Sequence, residues 1–445
     1  MNTSWITDIS YFKSIIIMTE PSKVLYNQIL SLLANIHSWF YSFFPKYKAI
    51  QRAKFADRKA GQSYCIQIDG AGGIEQLNMV PLNNRVTVGY NIPGFLSPFA
   101  NLPDDLQNLP ADLLIISVKH FSVNYADICI RWGLYESALR YVGWPIVPGF
   151  DFSGVVEFAH PLSGFHAGDQ VFGFTLFGSY STRLLVPQSQ VRKLPTLPSR
   201  MLSSSLSPLA LMSSVPAVAA TALHALSLAS IWPTPLRSRN KAVLIHSAAG
   251  GVGSMLLQMC RLLGCHPIVA VVGSKHKTSI CMQLGAHHVI DKSSTDLWKQ
   301  AEQFSPDGFA AIFDANGVET LSSSYNHLAR CGHLVIYGFH TNIPKATSWL
   351  SPLSWMRMIA GMIRMPHFDP MCLVTDSRTV AGFNLSFFAE EAEIIDAYMQ
   401  QIIAWIEADK LDFPPVEAYA FHDVDKAQEA IQTGLSIGKI IVNCD

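Results

Sequence analysis

Small residues follow a short apolar run in the segment AVLIHSAAGGVG, residues 242–253. Ala248, Gly250 and Gly253 hold the positions of a dinucleotide fingerprint, which allow a tight turn, close approach of a diphosphate to the backbone, and close helix–strand packing. A buried-strand pattern precedes them and a helical pattern follows, as this motif requires. The segment predicts a nucleotide-binding turn, and an ordinary glycine-rich turn is the alternative. We expect positive φ at Gly250, where a side chain would strain the chain.

The end of the next apolar run, about 20 residues further on, distinguishes the two nicotinamide dinucleotides. An NAD site places Asp or Glu there, but this chain has Gly273, Ser274, Lys275, His276 and Lys277, with no acid among them. Ser and Lys donate hydrogen bonds to a 2′-phosphate, which a carboxylate would repel. The segment therefore predicts NADPH as the cofactor, and a solvated cluster of surface charges is the alternative.

Composition excludes several classes of function. The formal net charge of the 445 residues is -1, so nucleic acid is not an expected partner. The eight cysteines form no CxxC pair, so neither a disulfide framework nor a structural zinc site is indicated. Free cysteines in apolar runs fit a reducing compartment, and we expect a cytoplasmic protein.

Two sequence patterns predict the secondary structure that positions these residues. From about residue 62, apolar and glycine-rich runs such as 113–121 predict twisted, mostly antiparallel strands. From residue 241, short buried strands alternate with helices, which predicts a doubly wound parallel sheet. The fold class is therefore α/β, with a β-rich domain beside a nucleotide-binding domain.

Two amphipathic segments stand apart from these domains. Residues 1–61 form an N-terminal extension in which apolar positions between Leu25 and Phe43 recur at helical spacing. Residues 346–368 combine Trp and Met with Arg357 and Arg364. Packing on the protein or on a partner subunit is one interpretation of both segments, and peripheral contact with a membrane is the other.

Several motifs together resemble one family. They are VNYADICIRWGLY, PIVPGFDFSGVV, AGDQVFGF, SAAGGVG, GSKHK, VAGFNL and the terminal GKIIV. From about residue 62 onward the chain resembles the zinc-free quinone oxidoreductase branch of the medium-chain dehydrogenase/reductase superfamily, and most closely the vesicle amine transport protein 1-like proteins. The resemblance implies a GroES-like domain formed by both chain ends and an inserted Rossmann domain. We divide the chain at 62–205 (GroES-like), 206–345 (Rossmann) and 346–445 (amphipathic segment and return to the first domain).

The resemblance also implies site residues. At the reacting centre it implies Asn124, Asp127 and Tyr135. The implied cofactor contacts and site walls are Tyr125, Thr221, Ala249, Gly250, Gly251, Val252, Ser274, Lys277, Lys292, Gly338, Phe339 and Phe383. Leu223 and Lys292 replace tyrosines that are common in the family, and the lysine adds a charge near the expected phosphate.

The residues at zinc-ligand positions decide the expected chemistry. Zinc-dependent relatives have Gly-His-Glu where this chain has Gly149, Phe150 and Asp151, and a cysteine where it has Ser122 or Asn124. No metal is therefore expected, and simple alcohol oxidation is disfavoured because no Lewis acid stabilises an alkoxide. We expect NADPH-dependent reduction of a quinone or an α,β-unsaturated carbonyl by a homodimer. The alternative is a nucleotide-binding, lipid-associated protein with little turnover.

Overall fold

The structure is a computed structural model that describes residues 59, 61–89, 97–202, 204–233, 241–340, 356, 360–361, 363–388 and 391–445. The predicted N-terminal helix and most of the amphipathic segment 346–368 lie outside these residues.

The first half of the chain forms antiparallel β-structure around an apolar core. Strands β1 (Tyr64–Ile68) and β2 (Leu77–Pro81) form a two-stranded sheet. The larger sheet begins with β3 (Arg85–Val88), β4 (Phe99–Asn101), β5 (Leu113–Val123), β6 (Asp151–Ala159), β7 (Gln170–Phe174), β8 (Arg183–Pro187) and β9 (Val191–Lys193). The apolar run at 113–121 forms most of β5, which pairs with both β6 and β8.

The second half contains a six-stranded sheet in which every pairing is parallel. Its strands are β10 (Val243–Ile245), β11 (Ile268–Val272), β12 (His288–Asp291), β13 (Phe309–Asp314), β14 (Leu328–Ile336) and β15 (Thr379–Gly382). Their spatial order is β12-β11-β10-β13-β14-β15, so the direction of winding reverses between β10 and β13. Ligands of such sheets bind at the carboxyl ends of the strands beside that reversal.

Both faces of the parallel sheet are covered. Val243 and Ile245 of β10 belong to the core on one face, and Leu244 belongs to the core on the other. A strand buried on both sides reads as a continuous apolar run, which explains why no alternation marks β10 in the sequence.

Twelve α-helices surround the sheets in the described residues. They are α1 (Tyr125–Arg131), α2 (Glu136–Tyr141), α3 (Ser199–Leu202), α4 (Pro208–Met212), α5 (Pro216–Leu228), α6 (Gly251–Leu262), α7 (Thr278–Gln283), α8 (Leu297–Phe304), α9 (Leu321–Asn326), α10 (Pro370–Asp376), α11 (Ala392–Glu407) and α12 (Val424–Gln432). Residues 208–228, which include α5, form a helical stretch long and apolar enough to cross a membrane, but 94% of its most apolar window is buried inside the protein. The buried core helix of a soluble protein can have the same length and apolar composition as a membrane span.

The end of the chain returns to the first domain. Strand β17 (Lys439–Asn443) pairs antiparallel with β5, and β16 (Val416–Ala420) pairs with β17. The predicted fold class, a GroES-like domain combined with a Rossmann-type domain, is confirmed. The parallel sheet nevertheless extends past the predicted boundary at residue 345, because β15 is its sixth strand.

Candidate active site

The turn between β10 and α6 forms a cradle at the reversal of the sheet. A Cβ atom on Gly253 would lie 2.6 Å from Ala248 Cα, so glycine is required where helix and strand pack. A Cβ atom on Gly250 would meet only the Ser247 carbonyl oxygen, at 3.3 Å, and Gly250 has φ of -80°. The expectation of positive φ at Gly250 is therefore wrong. Ser247, with φ of 52°, makes the sharp turn.

The residues predicted to hold the diphosphate begin α6. Gly250 is its N-cap, and Gly251 and Val252 start its first turn. The first backbone N–H groups of a helix have no intrahelical partner, and together with the helix dipole they favour an anion. Ala249 lies just before them, and its carbonyl oxygen accepts a 2.7 Å hydrogen bond from Gly438 N. The C-terminal segment thus closes one side of the cradle.

The residues predicted to bind the 2′-phosphate follow neighbouring strands. Ser274 follows β11, and Lys292 follows β12, where it is exposed. Lys277 is buried, and its Nζ donates to the carbonyl oxygen of Gly434 at 2.7 Å. The structure therefore brings Ser274 and Lys277 to the carboxyl edge beside the cradle, with Lys292 on the adjacent strand.

The other side of the cleft follows β13 and β14. Asp314 is buried and accepts hydrogen bonds from Asn316 N, Gly317 N, Thr320 Oγ1 and Ser324 Oγ. Its oxygens are occupied by these contacts, so Asp314 shapes the loop. Next to it a Cβ atom on Gly338 would lie 3.0 Å from the Ala315 carbonyl oxygen, and Phe339 is exposed.

A serine–histidine pair that the sequence did not single out lies between these loops. Ser247 Oγ donates to Asn316 Oδ1 at 3.0 Å and lies 2.8 Å from His340 Nε2. Because the hydroxyl has one hydrogen, His340 Nε2 donates to it. Burial, with a further contribution from Lys292, lowers the pKa of His340 to about 4, which keeps the ring neutral at physiological pH.

The β-domain faces this cleft with the start of α1. Asn124 is the N-cap of α1, and its backbone N–H donates to Asp127 Oδ2 at 2.7 Å. Asp127 also accepts from Gly149 N and Tyr180 Oη, both at 3.0 Å. Burial raises the pKa of Asp127 to about 7. Asp127 is fully buried, so it holds the α1 turn in place instead of facing a substrate.

Two tyrosines connect the domains across the cleft. Tyr125 Oη donates to the carbonyl oxygen of His340 at 3.2 Å, and Tyr135 Oη donates to Asn384 Oδ1 at 2.9 Å. Phe383, next to Asn384, packs against His224 with ring centroids 4.5 Å apart. Thr221, one helical turn before His224, donates to the carbonyl oxygen of Ala217 within α5. These contacts bring parts of the two domains together, because Tyr125 bonds to the segment after β14 and Tyr135 bonds to the residue next to Phe383.

Sequence reasoning missed a buried ion pair between Lys439 and Asp151. Lys439 Nζ lies 3.3 Å from Asp151 Oδ2, and both side chains are almost fully buried, with 3% and 0% exposure. The same ammonium group donates to Asn124 Oδ1. Asp151 also accepts from Ser122 Oγ, from Asn124 Nδ2 at 3.0 Å and from Ala217 N at 2.5 Å. The signal was present only as the lysine of GKIIV, more than 280 residues from Asp151.

Two family profiles match the chain in the order of its domains. Residues 110–196 match the alcohol dehydrogenase GroES-like domain, and residues 251–397 match the family described as zinc-binding dehydrogenase. Together these matches cover more than half of the chain. It belongs to the medium-chain dehydrogenase/reductase superfamily.

Relatives within this superfamily agree with the sequence resemblance. The chain is 25% identical to the synaptic vesicle membrane protein VAT-1 homolog of Danio rerio over 337 residues, covering 75% of the chain and 64% of that protein, or slightly less than two thirds of its length. It is 26% identical to a probable quinone oxidoreductase of Schizosaccharomyces pombe over 335 residues, covering 75% of the chain and 89% of that protein. Escherichia coli quinone oxidoreductase, solved in complex with NADPH, shares the fold with a TM-score of 0.64 at 18% identity, over 86% of this chain and 100% of that one.

Proposed function

We propose that this superfamily member transfers hydride from NADPH to a quinone or an α,β-unsaturated carbonyl without zinc. The observation that carries the proposal is one interdomain cleft, with a glycine cradle on one wall and Asn124, Tyr125 and Tyr135 on the other. The bound nicotinamide supplies the hydride. The protein's part is to bind and orient both reactants and to exclude water.

The choice of NADPH rests on the carboxyl edge of β11 and β12. Ser274 and Lys277 stand where an NAD-specific site places an acid, and Lys292 adds a positive charge on the next strand. Lys277 Nζ donates to the backbone carbonyl oxygen of Gly434. A bound phosphate would take the place of that oxygen and accept a stronger, charge-assisted hydrogen bond. The residues of this edge therefore fit a 2′-phosphate.

The proposal of zinc-free chemistry rests on side chains at the positions of zinc ligands. Phe150 has no ligand atom, and its ring packs 5.4 Å from the Phe177 ring. Asn124 and Asp151 already bind the Lys439 ammonium group. In the described part of the chain, no group of three or more His, Cys, Asp or Glu side chains is placed to hold a metal ion.

An interdomain cavity supports an apolar substrate. Its volume is about 270 Å³, and its walls combine the apolar side chains of Phe174, Leu176, Leu385, Phe388 and Met399 with polar side chains that include the Arg192–Asp396 ion pair. Phe174 stacks on Phe150, and Phe150 packs against Tyr135 with ring centroids 6.1 Å apart. A ring system such as a quinone fits a wall of this kind, because aromatic faces pack edge to face or offset.

The test is turnover with a panel of quinones and enones, followed by NADPH consumption with NADH in parallel. We expect several electron-poor acceptors to be reduced, with a marked preference for NADPH. Binding of NADPH without reduction of any acceptor would instead support the nucleotide-binding alternative with little turnover.

We also propose that the protein is a homodimer that joins through β15. This strand is the outermost of the parallel sheet, and in the described residues it pairs only with β14. In the segment of the chain before it, Ile363, Met371 and Val374 are 79%, 71% and 76% exposed, which is unusual for large apolar side chains. A second copy of the chain would cover both the open strand edge and the apolar side chains. Light scattering of the purified protein tests this.

The same exposed side chains favour a second candidate, peripheral contact with a membrane. We propose that the protein is cytoplasmic. Flotation with neutral and anionic vesicles distinguishes membrane contact from a dimer interface. Co-flotation that Met371→Ser and Val374→Ser abolish would favour the membrane, whereas a dimer that the same variants dissociate, with no flotation, would favour the interface.

A further inference from the structure

The cavity assigned to the substrate has a charged part that reduction of an apolar ring does not explain. Phe174 of β7 belongs to its apolar wall, and Arg192 of β9 lines the same cavity. Strands β7 and β9 pair antiparallel, with Arg192 opposite Phe172. The backbone of Arg192 is therefore set back two residues, or about 7 Å, from Phe174 along the sheet. Because Phe174 stacks on Phe150, this distance also separates Arg192 from the aromatic contacts that lead to Tyr135.

The Arg192 side chain is held in place and still has donors to offer. Its Nη1 donates to the carbonyl oxygens of Ser189 and Val191, both at 2.7 Å, and its Nη2 donates to Asp396 Oδ1. A guanidinium group has five N–H donors, so these contacts use three of them. The described residues provide no acceptor for the Nε–H or for the second N–H of Nη2. Since the side chain is 22% exposed and lines the cavity, a ligand can reach it.

The partner of Arg192 competes only weakly for it. Asp396 lies on α11, its side chain is 42% exposed, and its Oδ2 accepts from Gln400 Nε2 at 2.7 Å. An ion pair exposed to this degree contributes little free energy, so a second anion can share or replace Asp396 at small cost.

The charges around the cavity limit the anion that fits. In the described residues, the charged side chains that line it are Asp112, Arg192 and Asp396. Two acids beside one cation repel a doubly charged phosphate more strongly than a singly charged group. A carboxylate is therefore the anion that this lining favours.

We propose that Arg192 determines substrate specificity and that the acceptor is a compact quinone or enone carrying a carboxylate. This inference rests on the proposed function. The ring of the acceptor packs against the apolar wall at Phe174, and its carboxylate binds the Arg192 guanidinium group, which donates charge-assisted hydrogen bonds in a planar geometry that matches a carboxylate. A volume of about 270 Å³ suits a bicyclic ring with a short side chain. The carboxylate does not change during hydride transfer, so this contact acts on KM more than on kcat.

A matched pair of acceptors tests the proposal in the parent protein. The pair is 3-(1,4-naphthoquinon-2-yl)propanoate and its methyl ester, which share the ring and the chain and differ in charge. At saturating NADPH we expect kcat/KM to favour the acid by about 10- to 100-fold, the effect of a hydrogen bond to a charged group, with most of the difference in KM. Equal kcat/KM for the two acceptors, or a preference for the ester, would overturn the proposal.

Two variants of the ion pair should act in opposite directions on the acid. We expect R192M to raise the KM for the acid by about tenfold and to leave the KM for the ester within about threefold. We expect D396N to lower the KM for the acid, because it removes a competing negative charge and keeps an acceptor for Arg192. If the ion pair serves only to join β9 to α11, both variants will change the two acceptors alike, and the proposal fails.

Arg200 provides the matched control. It forms ion pairs with Asp409 and Asp412, and it is not among the residues that line the cavity. We expect R200M to leave the ratio of the two KM values unchanged. Circular dichroism and thermal unfolding establish that each variant is folded.

A binding measurement does not need turnover. The fluorescent probe 3-(1-naphthyl)propanoate, which cannot accept hydride, is titrated with the protein in the presence of NADP⁺, and its methyl ester is titrated in parallel. We expect the parent, D396N and R200M to bind the acid more tightly than the ester, and R192M to bind the two equally. Tighter binding of the acid that persists in R192M would contradict the role of Arg192. Failure of the proposed function shows separately, as a parent that binds the acid through Arg192 and reduces neither quinone.

Discussion

The cradle at 247–253 and the charged cluster of Lys439 with Ser122, Asn124, Asp151 and Ala217 lie next to each other but are encoded differently. The cradle is local: its turn, glycine spacing and helix start fall within seven residues, and its partner is the backbone. The cluster is assembled from five elements, β5, α1, β6, α5 and β17, and its residues span positions 122 to 439. A motif that acts through backbone geometry is therefore visible in the sequence, whereas one that acts through side-chain charge becomes visible only when the fold brings its parts together.

The sharpest way to test the local character of the cradle is to add a methyl group at two of its glycines. In Gly253→Ala the new Cβ would lie 2.6 Å from backbone atoms of Ser247 and Ala248, which cannot yield as a flexible side chain does. We expect a loss of about 1–3 kcal/mol in the free energy of unfolding, as in overpacked cores. Denaturant unfolding measures it.

Gly250 provides the matched control, because a Cβ there meets only one atom, at 3.3 Å. We expect Gly250→Ala to leave the free energy of unfolding nearly unchanged, and Gly250→Val to abolish NADPH binding while circular dichroism stays native. In Gly250→Val the valine side chain would occupy the space that the diphosphate needs. A folded Gly250→Val protein with parent-like affinity would show that this loop does not hold the cofactor.

The contrast between the two regions also explains how much of the fold and of the candidate site can be predicted from the sequence. Hydrophobic runs and glycine spacing were sufficient for the parallel sheet, for the start of α6 and for the run that forms β5, because period and local context determine them. The prediction of a positive φ at Gly250 is wrong, because Ser247 is the residue that adopts a positive φ in this turn. Nothing local indicates that Asp127, in the first turn of α1, is fully buried, or that His340 meets Ser247, since both follow from packing between distant segments.

The next largest effect concerns cofactor choice. Lys277→Ala should weaken NADPH binding by about 1.5–3 kcal/mol, the range for a hydrogen bond to a charged group, and should affect NADH much less. Lys275→Ala is the control, since this exposed lysine lies two residues away in the same turn. Fluorescence titration of both cofactors measures the difference. Equal losses for NADPH and NADH would mean that Lys277 supports the loop around Gly434 and does not select the phosphate.

Metal removal tests the other side of the cleft. Because Phe150 has no ligand atom and Asn124 and Asp151 contact the Lys439 ammonium group, chelators should leave turnover unchanged and purified protein should contain no stoichiometric zinc. Elemental analysis before and after dialysis against a chelator is the measurement. Activity that falls with the metal content and returns when zinc is added would contradict the zinc-free assignment.

The smallest effect should come from the Ser247–His340 pair, which the sequence did not single out. Burial lowers the pKa of His340 to about 4, whereas an exposed histidine titrates near 6.5. The unfolded chain therefore binds a proton at higher pH than the folded protein does. The contribution of neutral His340 is fully present above pH 6.5 and is lost as the pH falls from 6.5 towards 4. His340→Gln keeps a side-chain donor for Ser247 but does not titrate, so its stability should fall less than that of the parent over this interval. Denaturant unfolding of both proteins between pH 4 and pH 8 measures the difference, and parallel curves would show that His340 is exposed to protonation in the folded state.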